Sequence, residues 1–239
     1  RTGEPLTSVP IERIRKDGTR ISVESSIFPL RNESGEIIGF RGIAGDVTER
    51  RQFEQKLAEM ATHDPLTGLP NRTLLSDRFT VALNLSRRTR NKLVVMMLDL
   101  DRFKVVNDSM GHDVGDKLLK AVGERLEVTM RKSDTVARIG GDEFVLLLSQ
   151  IPHAEEAAKF AQRILDAFRE PFVFNGYRPD ITTSIGIAVY PEGGKDIESL
   201  LKSADTAMYR AKEQGRDTYK FYDANEAATS PAKQASVCA

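Results

Sequence analysis

The sequence predicts an α/β protein of the α+β kind, and three observations carry that prediction. Lys92-Leu-Val-Val-Met-Met-Leu-Asp-Leu-Asp101 is a nearly continuous apolar run, the mark of a central strand buried on both faces. Arg138-Ile-Gly-Gly-Asp-Glu-Phe-Val-Leu-Leu-Leu148 reads as a short strand, a two-glycine turn at which both residues can take positive φ, and a second, apolar strand. Helical periodicity follows each of these elements, and a further strand over residues 181–190 precedes a last long helix. From Leu93 the order is β-α-β-β-α-β, the split βαβ or ferredoxin-like arrangement. In that arrangement the first and third strands lie together at the sheet centre.

Size and composition fit one or two globular domains. The chain has 239 residues, 40% hydrophobic and 29% charged, with 35 basic and 35 acidic side chains. That neutral balance argues against nonspecific nucleic-acid binding. The single cysteine, Cys238, excludes an internal disulfide and a cysteine metal site, which suits a reducing cytoplasm. The longest apolar run, Leu93-Val-Val-Met-Met-Leu98, is far too short to span a membrane, and no signal peptide is visible. The chain begins at Arg1 rather than Met, as a fragment would, and is compatible with upstream segments, a membrane anchor among them.

In order, residues 11–15 alternate, Lys16-Asp-Gly-Thr19 makes a tight turn, and residues 20–28 alternate again. Asn32-Glu-Ser-Gly35 is a second turn before a strand over 37–43. Three antiparallel strands make a marginal sheet with one apolar face to be covered. A helix then runs from Thr48, a suitable N-cap, to Met60, with Phe53, Leu57 and Met60 in one stripe. Such a stripe suits ordinary packing or a short parallel coiled coil. His63-Asp-Pro-Leu-Thr-Gly-Leu-Pro-Asn71 breaks that helix, and a lone His there reads as a capping or packing residue. A helix over 72–88 leads to the central strand.

That strand ends in Asp99 and Asp101. Side chains two apart on a strand share a face, so both carboxylates are expected to emerge at its C-terminal end, where open sheets bind ligands. A polar segment with Lys104, Asn107, His112 and Asp116 leads into a helix whose apolar face is Leu118, Leu119, Val122 and Leu126. Arg131 and Asp134 follow it, a spacing that by itself reads as a helix-end salt bridge. Helices are expected over 154–169 and 197–214, with Lys212 and Arg216 at or past the end of the second, where cations complement the helix dipole. The small, polar tail over 224–239 reads as disordered.

Asp142 and Glu143 are the anomaly, two adjacent carboxylates where a buried strand begins. Carboxylates avoid such places unless paired or bound to metal, and Gly140 and Gly141 leave room for a phosphate. With Asp99 they make at least three converging carboxylates without a His or Cys cluster, a donor set for a hard cation such as Mg²⁺. Two such ions about 4 Å apart activate a hydroxyl and stabilise leaving oxygens in an in-line displacement. The amide, carboxylate and basic groups nearby point to a nucleoside triphosphate. From the residues alone, the reading ends at metal-dependent nucleotidyl transfer or a nucleotide-binding domain.

The motifs carry a specific resemblance. Gly140-Gly-Asp-Glu-Phe144, with DLDRFKVVND, GHDVGD and AMYRAKEQGRD at matching spacing, makes residues 63–225 similar to a GGDEF diguanylate cyclase domain. RKDGTRISVESSIFPLRNESGEIIGFRGIAGDVTERR resembles the C-terminal half of a PAS sensor, giving a PAS portion over 1–47, a signalling helix over 48–62 and a tail over 226–239. The helical half of a PAS fold has no counterpart here. The resemblance implies a nucleotidyl cyclase core like a polymerase palm, which condenses two GTP into cyclic di-GMP with release of two pyrophosphates. It implies that Asp99, Glu143, Asp142 and the Leu100 carbonyl hold two Mg²⁺ or Mn²⁺ ions, with Asp142 also the candidate base. Asn107 and Asp116 would read guanine, His112 would sit near the substrate, and Lys104, Lys212 and Arg216 would contact phosphates. Asp116 can accept from guanine's ring N–H and amine, which argues against ATP. An RxxD inhibitory site for the product maps to Arg131 and Asp134, with Arg163 as a third ligand. Each domain binds one GTP, so the family's mechanism needs a homodimer. The rival from another class is a catalytically silent sensor of GTP or cyclic di-GMP.

Overall fold

The structure, a computed structural model, describes residues 4–174, 176 and 178–224. The tail expected over 226–239, with Cys238, lies outside the described residues. The chain divides into two compact units, Arg1–Ala61 and Thr62–Ala239.

The first unit holds β1 (Leu6–Ile14), β2 (Arg20–Arg31), β3 (Ile37–Asp46) and all but the last residue of α1 (Thr48–Thr62). The strands pair antiparallel in the order β1-β2-β3. Both turns are built from side chains suited to them: Asp17 Oδ1 accepts from the Thr19 N–H and Asn32 Oδ1 from the Glu36 N–H. The sheet leaves Ile14, Ile38, Phe40 and Ile43 exposed, the apolar surface expected of three strands on their own. Thr48 is not the cap of α1. It is the first helical residue, and Asp46 Oδ1 accepts both its N–H and its hydroxyl. Phe53, Leu57 and Met60 are all exposed.

The second unit is the core. Its elements are α2 (Arg72–Thr89), β4 (Lys92–Leu100), α3 (Phe103–Met110), α4 (His112–Thr129), β5 (Thr135–Gly140), β6 (Glu143–Ile151), α5 (Glu155–Phe168), β7 (Thr183–Tyr190), α6 (Ile197–Glu213) and β8 (Tyr219–Phe221). The sheet order is β5-β6-β4-β7-β8, with β4 and β6 adjacent as the element order predicts. Two elements depart from expectation. Residues 103–110 form a helix of their own before Gly111, and β8 adds a short parallel edge to β7.

The unbroken apolar run of β4 is explained by burial on both faces. Val94, Met96, Leu98 and Leu100 enter one core with Leu118, Val122, Ile164 and Leu165 of α4 and α5. Leu93, Val95 and Met97 enter a second core with Leu75 and Phe79 of α2 and Leu200, Ala204 and Met208 of α6. Strand period two thus sorts alternate residues into two layers. Asp99 and Glu143 have the parity of the second layer, so the site opens on the face covered by α2 and α6. On that face Gly186 of β7 brings α6 into backbone contact. A Cβ there would lie 1.9 Å from the Ala204 carbonyl oxygen and 2.3 Å from the Met208 nitrogen.

Candidate active site

The site gathers where β4 ends. Asp99 lies directly opposite Glu143 on β6 and Ser184 on β7. Lys212, one turn beyond Met208 on α6, places Nζ 2.7 Å from Asp99 Oδ1, both side chains being mostly buried. Burial is the main force pushing the Asp99 carboxyl above the ordinary carboxylate range; Lys212 opposes it, and Asp142 and Asp101 add to it. Burial also leads in raising Glu143, followed by Asp99, Asp205 and Asp142, with Lys212 again opposing. Asp205 belongs to this group, although sequence reasoning passed over it. Its signal is its place on α6 two turns before Lys212, which puts both on one helix face.

The crowding has a chemical meaning. Like-charged carboxylates in a partly dry place raise each other's pKa until a cation relieves them. An all-oxygen donor set suits Mg²⁺ or Mn²⁺, and in that sense Asp99, Asp142 and Glu143 fit a hard divalent ion. They are not gathered into a finished cage: among the described residues, no three His, Cys, Asp or Glu side chains form a ready cation site. The Asp99 carboxylate is held by the Lys212 ammonium.

The GGDEF turn is anchored from behind. Arg138 donates through Nε and Nη2 to the Gly141 carbonyl at 3.0 and 2.7 Å, and through Nη1 to both Asp64 oxygens at 2.9 and 3.0 Å. Asp64 is itself caught by the Thr67 N–H and hydroxyl. Burial works against ionisation of Asp64, but the Thr67 and Arg138 hydrogen bonds prevail and hold its carboxyl below the ordinary range. Of the turn glycines, only Gly141 takes positive φ, at 51°; the symmetric two-glycine turn predicted from sequence is not what forms.

On the other side of the strand end, α3 and α4 carry the remaining candidates. Lys104, His112 and Asp116 are exposed there, while Asn107 is half-buried. Asn107 Oδ1 is buried with no hydrogen-bond partner, alone in this among the described residues. A buried amide oxygen left unpaired is costly, and an N–H on a ligand edge would satisfy it. Gly115, immediately before Asp116, makes the arrangement possible, since a Cβ there would sit 1.9 Å from Asn107 Oδ1. Gly115→Ala is therefore expected to displace the Asn107 amide and weaken the binding of a ligand that donates to it roughly tenfold, at a stability cost of about 1–3 kcal/mol. A ligand-binding titration beside a denaturant titration would check both effects.

Asp101 departs from the expectation that it emerges with Asp99. It is buried, and its carboxylate is spent inside the protein on Thr182, Ser184 and the backbone of residue 217. Arg216 stands beside it, its Nε 3.9 Å from Asp101 Oδ1.

Arg131 and Asp134 do not rest on a simple side-chain pair. The Arg131 backbone N–H donates to Asp134 Oδ2 at 3.3 Å, while its guanidinium lies 4.9 Å from the Phe160 ring centroid. Arg163 lies over the same ring at 4.5 Å. Two guanidinium groups thus flank one aromatic side chain, with Asp134 near both; burial is the main cause of the raised Asp134 carboxyl.

A split βαβ sheet ending in crowded carboxylates, with a lysine on one side and an unsatisfied amide on the other, has the form of a metal-dependent nucleotidyl-transfer or nucleotide-binding domain. Residues 61–218 match the family described as diguanylate cyclase, GGDEF domain, and residues 5–49 match a PAS domain. The chain belongs to the GGDEF diguanylate cyclase family. MucR of Pseudomonas aeruginosa, described as a bifunctional diguanylate cyclase/cyclic di-GMP phosphodiesterase, is 42% identical over 178 residues, which is 74% of this chain and 26% of MucR. The GGDEF domain of TpbB (YfiN) from the same organism superposes with a TM-score of 0.67 at 38% identity, covering 70% of this chain and 98% of that one. The coiled coil and GGDEF domain of DgcB from Caulobacter crescentus, in complex with c-di-GMP, gives a TM-score of 0.64 at 26% identity, covering 73% and 93%. The chain spans between 21% and 28% of the length of the first curated relatives it matches.

Proposed function

We propose that the chain is a diguanylate cyclase that joins two GTP into cyclic di-GMP with release of two pyrophosphates. The observation that carries this is the register of Asp99 opposite Glu143, with Lys212 on Asp99, in a chain whose GGDEF turn is intact. Asn107 and Asp116 would receive the guanine edge, with His112 close by, and Lys104, Lys212 and Arg216 would orient the triphosphate. Asp142 would take the proton from the ribose 3′-hydroxyl as that oxygen attacks the α-phosphate of the other GTP and pyrophosphate leaves. Mg²⁺ or Mn²⁺, held by Asp99, Asp142, Glu143 and the Leu100 carbonyl, would supply charge stabilisation for the attacking and leaving oxygens. The ring closes by two such attacks, so two domains must face one another in a homodimer. Residues 1–47 and the helix over 48–62 would bias how often they do. The domain works where GTP is available, on the cytoplasmic side of a bacterial cell.

Arg131, Asp134 and Arg163 would bind the product and slow the enzyme. The stacking of both arginines on Phe160 supports that assignment, because it presents two guanidinium groups together. Arg131→Ala is expected to raise the concentration of cyclic di-GMP needed for half-inhibition by about tenfold or more while leaving initial turnover within about twofold. Unchanged product inhibition would return these residues to a structural role.

The deciding experiment incubates the protein with Mg²⁺ and GTP, ATP or both, and identifies the products by mass. Cyclic di-GMP from GTP alone is expected. A folded dimer that binds GTP without turning it over would mark a sensor instead, and mixed products would remove the guanine selectivity assigned to Asp116.

A further inference from the structure

After α6, the backbone turns toward β8 through three successive left-handed residues, Gly215 (φ 112°), Arg216 (φ 68°) and Asp217 (φ 45°). Glycine adopts such values freely; aspartate tolerates them better than most residues, but arginine rarely takes them, and two such residues in succession hold them where the surroundings over-determine the backbone. The tether is Asp101. Its Oδ2 accepts the Asp217 N–H at 3.2 Å and the Thr182 hydroxyl at 2.7 Å, and its Oδ1 accepts the Ser184 hydroxyl at 2.7 Å. Its own N–H donates to the Thr182 carbonyl at 2.9 Å. The side chain is 2% exposed, so these bonds replace all of its contact with water. One carboxylate therefore joins the end of β4, the start of β7 and the turn that follows Lys212. Arg216 is caught between two fixed points, its N–H on the Ala211 carbonyl and the next N–H on Asp101.

We propose that Asp101 is a positioning residue for the triphosphate: it clamps the left-handed turn over residues 215–217 and so fixes where Arg216, and the end of α6 with Lys212, meet the phosphates. This deepens the cyclase reading and rests on Lys212 and Arg216 as phosphate ligands. It gives the two acids of the DLD run separate duties. Asp99 belongs to the cation site, while Asp101 never leaves the interior.

The test is the affinity of the protein for the slowly reacting analogue GTPαS with Mg²⁺, measured by calorimetry, with GTP kinetics alongside. Asp101→Ala orphans the Asp217 N–H and is expected to weaken binding by roughly tenfold or more. Asp101→Asn keeps an acceptor for that N–H while its amide turns to the Ser184 hydroxyl, so it should stay within about threefold of wild type. Asp217→Gly, placed in the Asp101→Ala background, should recover most of the loss, because glycine takes the turn's φ without a clamp. An Asn variant as weak as the Ala variant would make Asp101 a charge or metal residue and overturn the proposal. So would unchanged affinity in Asp101→Ala, or no recovery with glycine. If Asp101→Ala does not fold, Thr182→Val removes a donor to the same oxygen; weakened binding there supports the clamp, and wild-type affinity overturns it. Lys212→Ala and Arg216→Ala separate the two levels. If they weaken binding and Asp101→Ala does not, the clamp fails and the phosphate reading stands; if neither weakens binding, both fall.

Discussion

Asp99→Asn and Glu143→Gln are each expected to lower cyclic di-GMP formation by about a thousandfold or more, since several kcal/mol of charge stabilisation would leave with the proposed metal site. Neither change should unfold the protein. Burial and mutual repulsion push both carboxyls above their ordinary range. A group with a raised pKa in the folded state stabilises the fold at acid pH and loses that contribution as pH rises through the shifted range. At neutral pH the ionised forms are therefore a burden, and removing the Glu143 charge should leave the melting temperature unchanged or raise it in the absence of metal. Asp99→Asn differs in one respect: it takes the partner from Lys212, whose Nζ is 2.7 Å away. Its melting temperature should accordingly fall below that of Glu143→Gln. Substantial turnover in either variant would remove the metal assignment, and a collapse of both melting curves would remove the electrostatic account.

Arg138→Ala should be the most damaging single change away from the reacting groups. It strips Asp64 of a two-oxygen pairing and the Gly141 carbonyl of both its guanidinium donors. The pair is nearly dry, with Arg138 10% and Asp64 16% exposed at the side chain. Breaking one partner out of a buried pair costs about 3–5 kcal/mol, because the survivor is left charged and unpaired. Activity should fall by more than the folded fraction does, since the turn that presents Asp142 and Glu143 loses its anchor. Turnover per folded molecule, taken from kinetics and a guanidinium titration on the same sample, isolates that second effect. Adding Asp64→Asn should restore part of the stability, by removing the stranded charge, but little of the activity, because Gly141 remains untied.

The core was legible wherever burial leaves a period in the sequence. The apolar runs of β4 and β6 announce a sheet covered on both sides, and the pairing of those strands follows from the element order. The two layers also explain why Asp99 was legible: its parity matches Leu93, Val95 and Met97. Asp101 has the same parity, yet the strand stops at Leu100 and Arg102 turns left-handed at φ 60°, so periodicity ceases to predict direction there. Residues 103–110 read as part of a polar segment leading into a helix because Asn107, Asp108, Ser109 and Gly111 are turn formers; Phe103 and Val106, buried one turn apart, make them a helix of their own. β8 is three residues long, below what alternation can signal. The Arg138–Asp64 pair spans 74 positions, and no local pattern reports a partner so distant. Gly186 alone left a local trace, a glycine in the middle of a strand.

That glycine fixes a length with atoms that substitution cannot change. The spacing between β7 and α6 is set by main chain against main chain, at Ala204 and Met208. A contact between side chains drifts as sequences diverge, growing or shrinking by a methylene at a time. A backbone contact has no such dial. Lys212 lies one turn past Met208 on the same helix, so its reach toward Asp99 is inherited from the main chain. Repacking the second core around that contact would leave the ammonium in the same place.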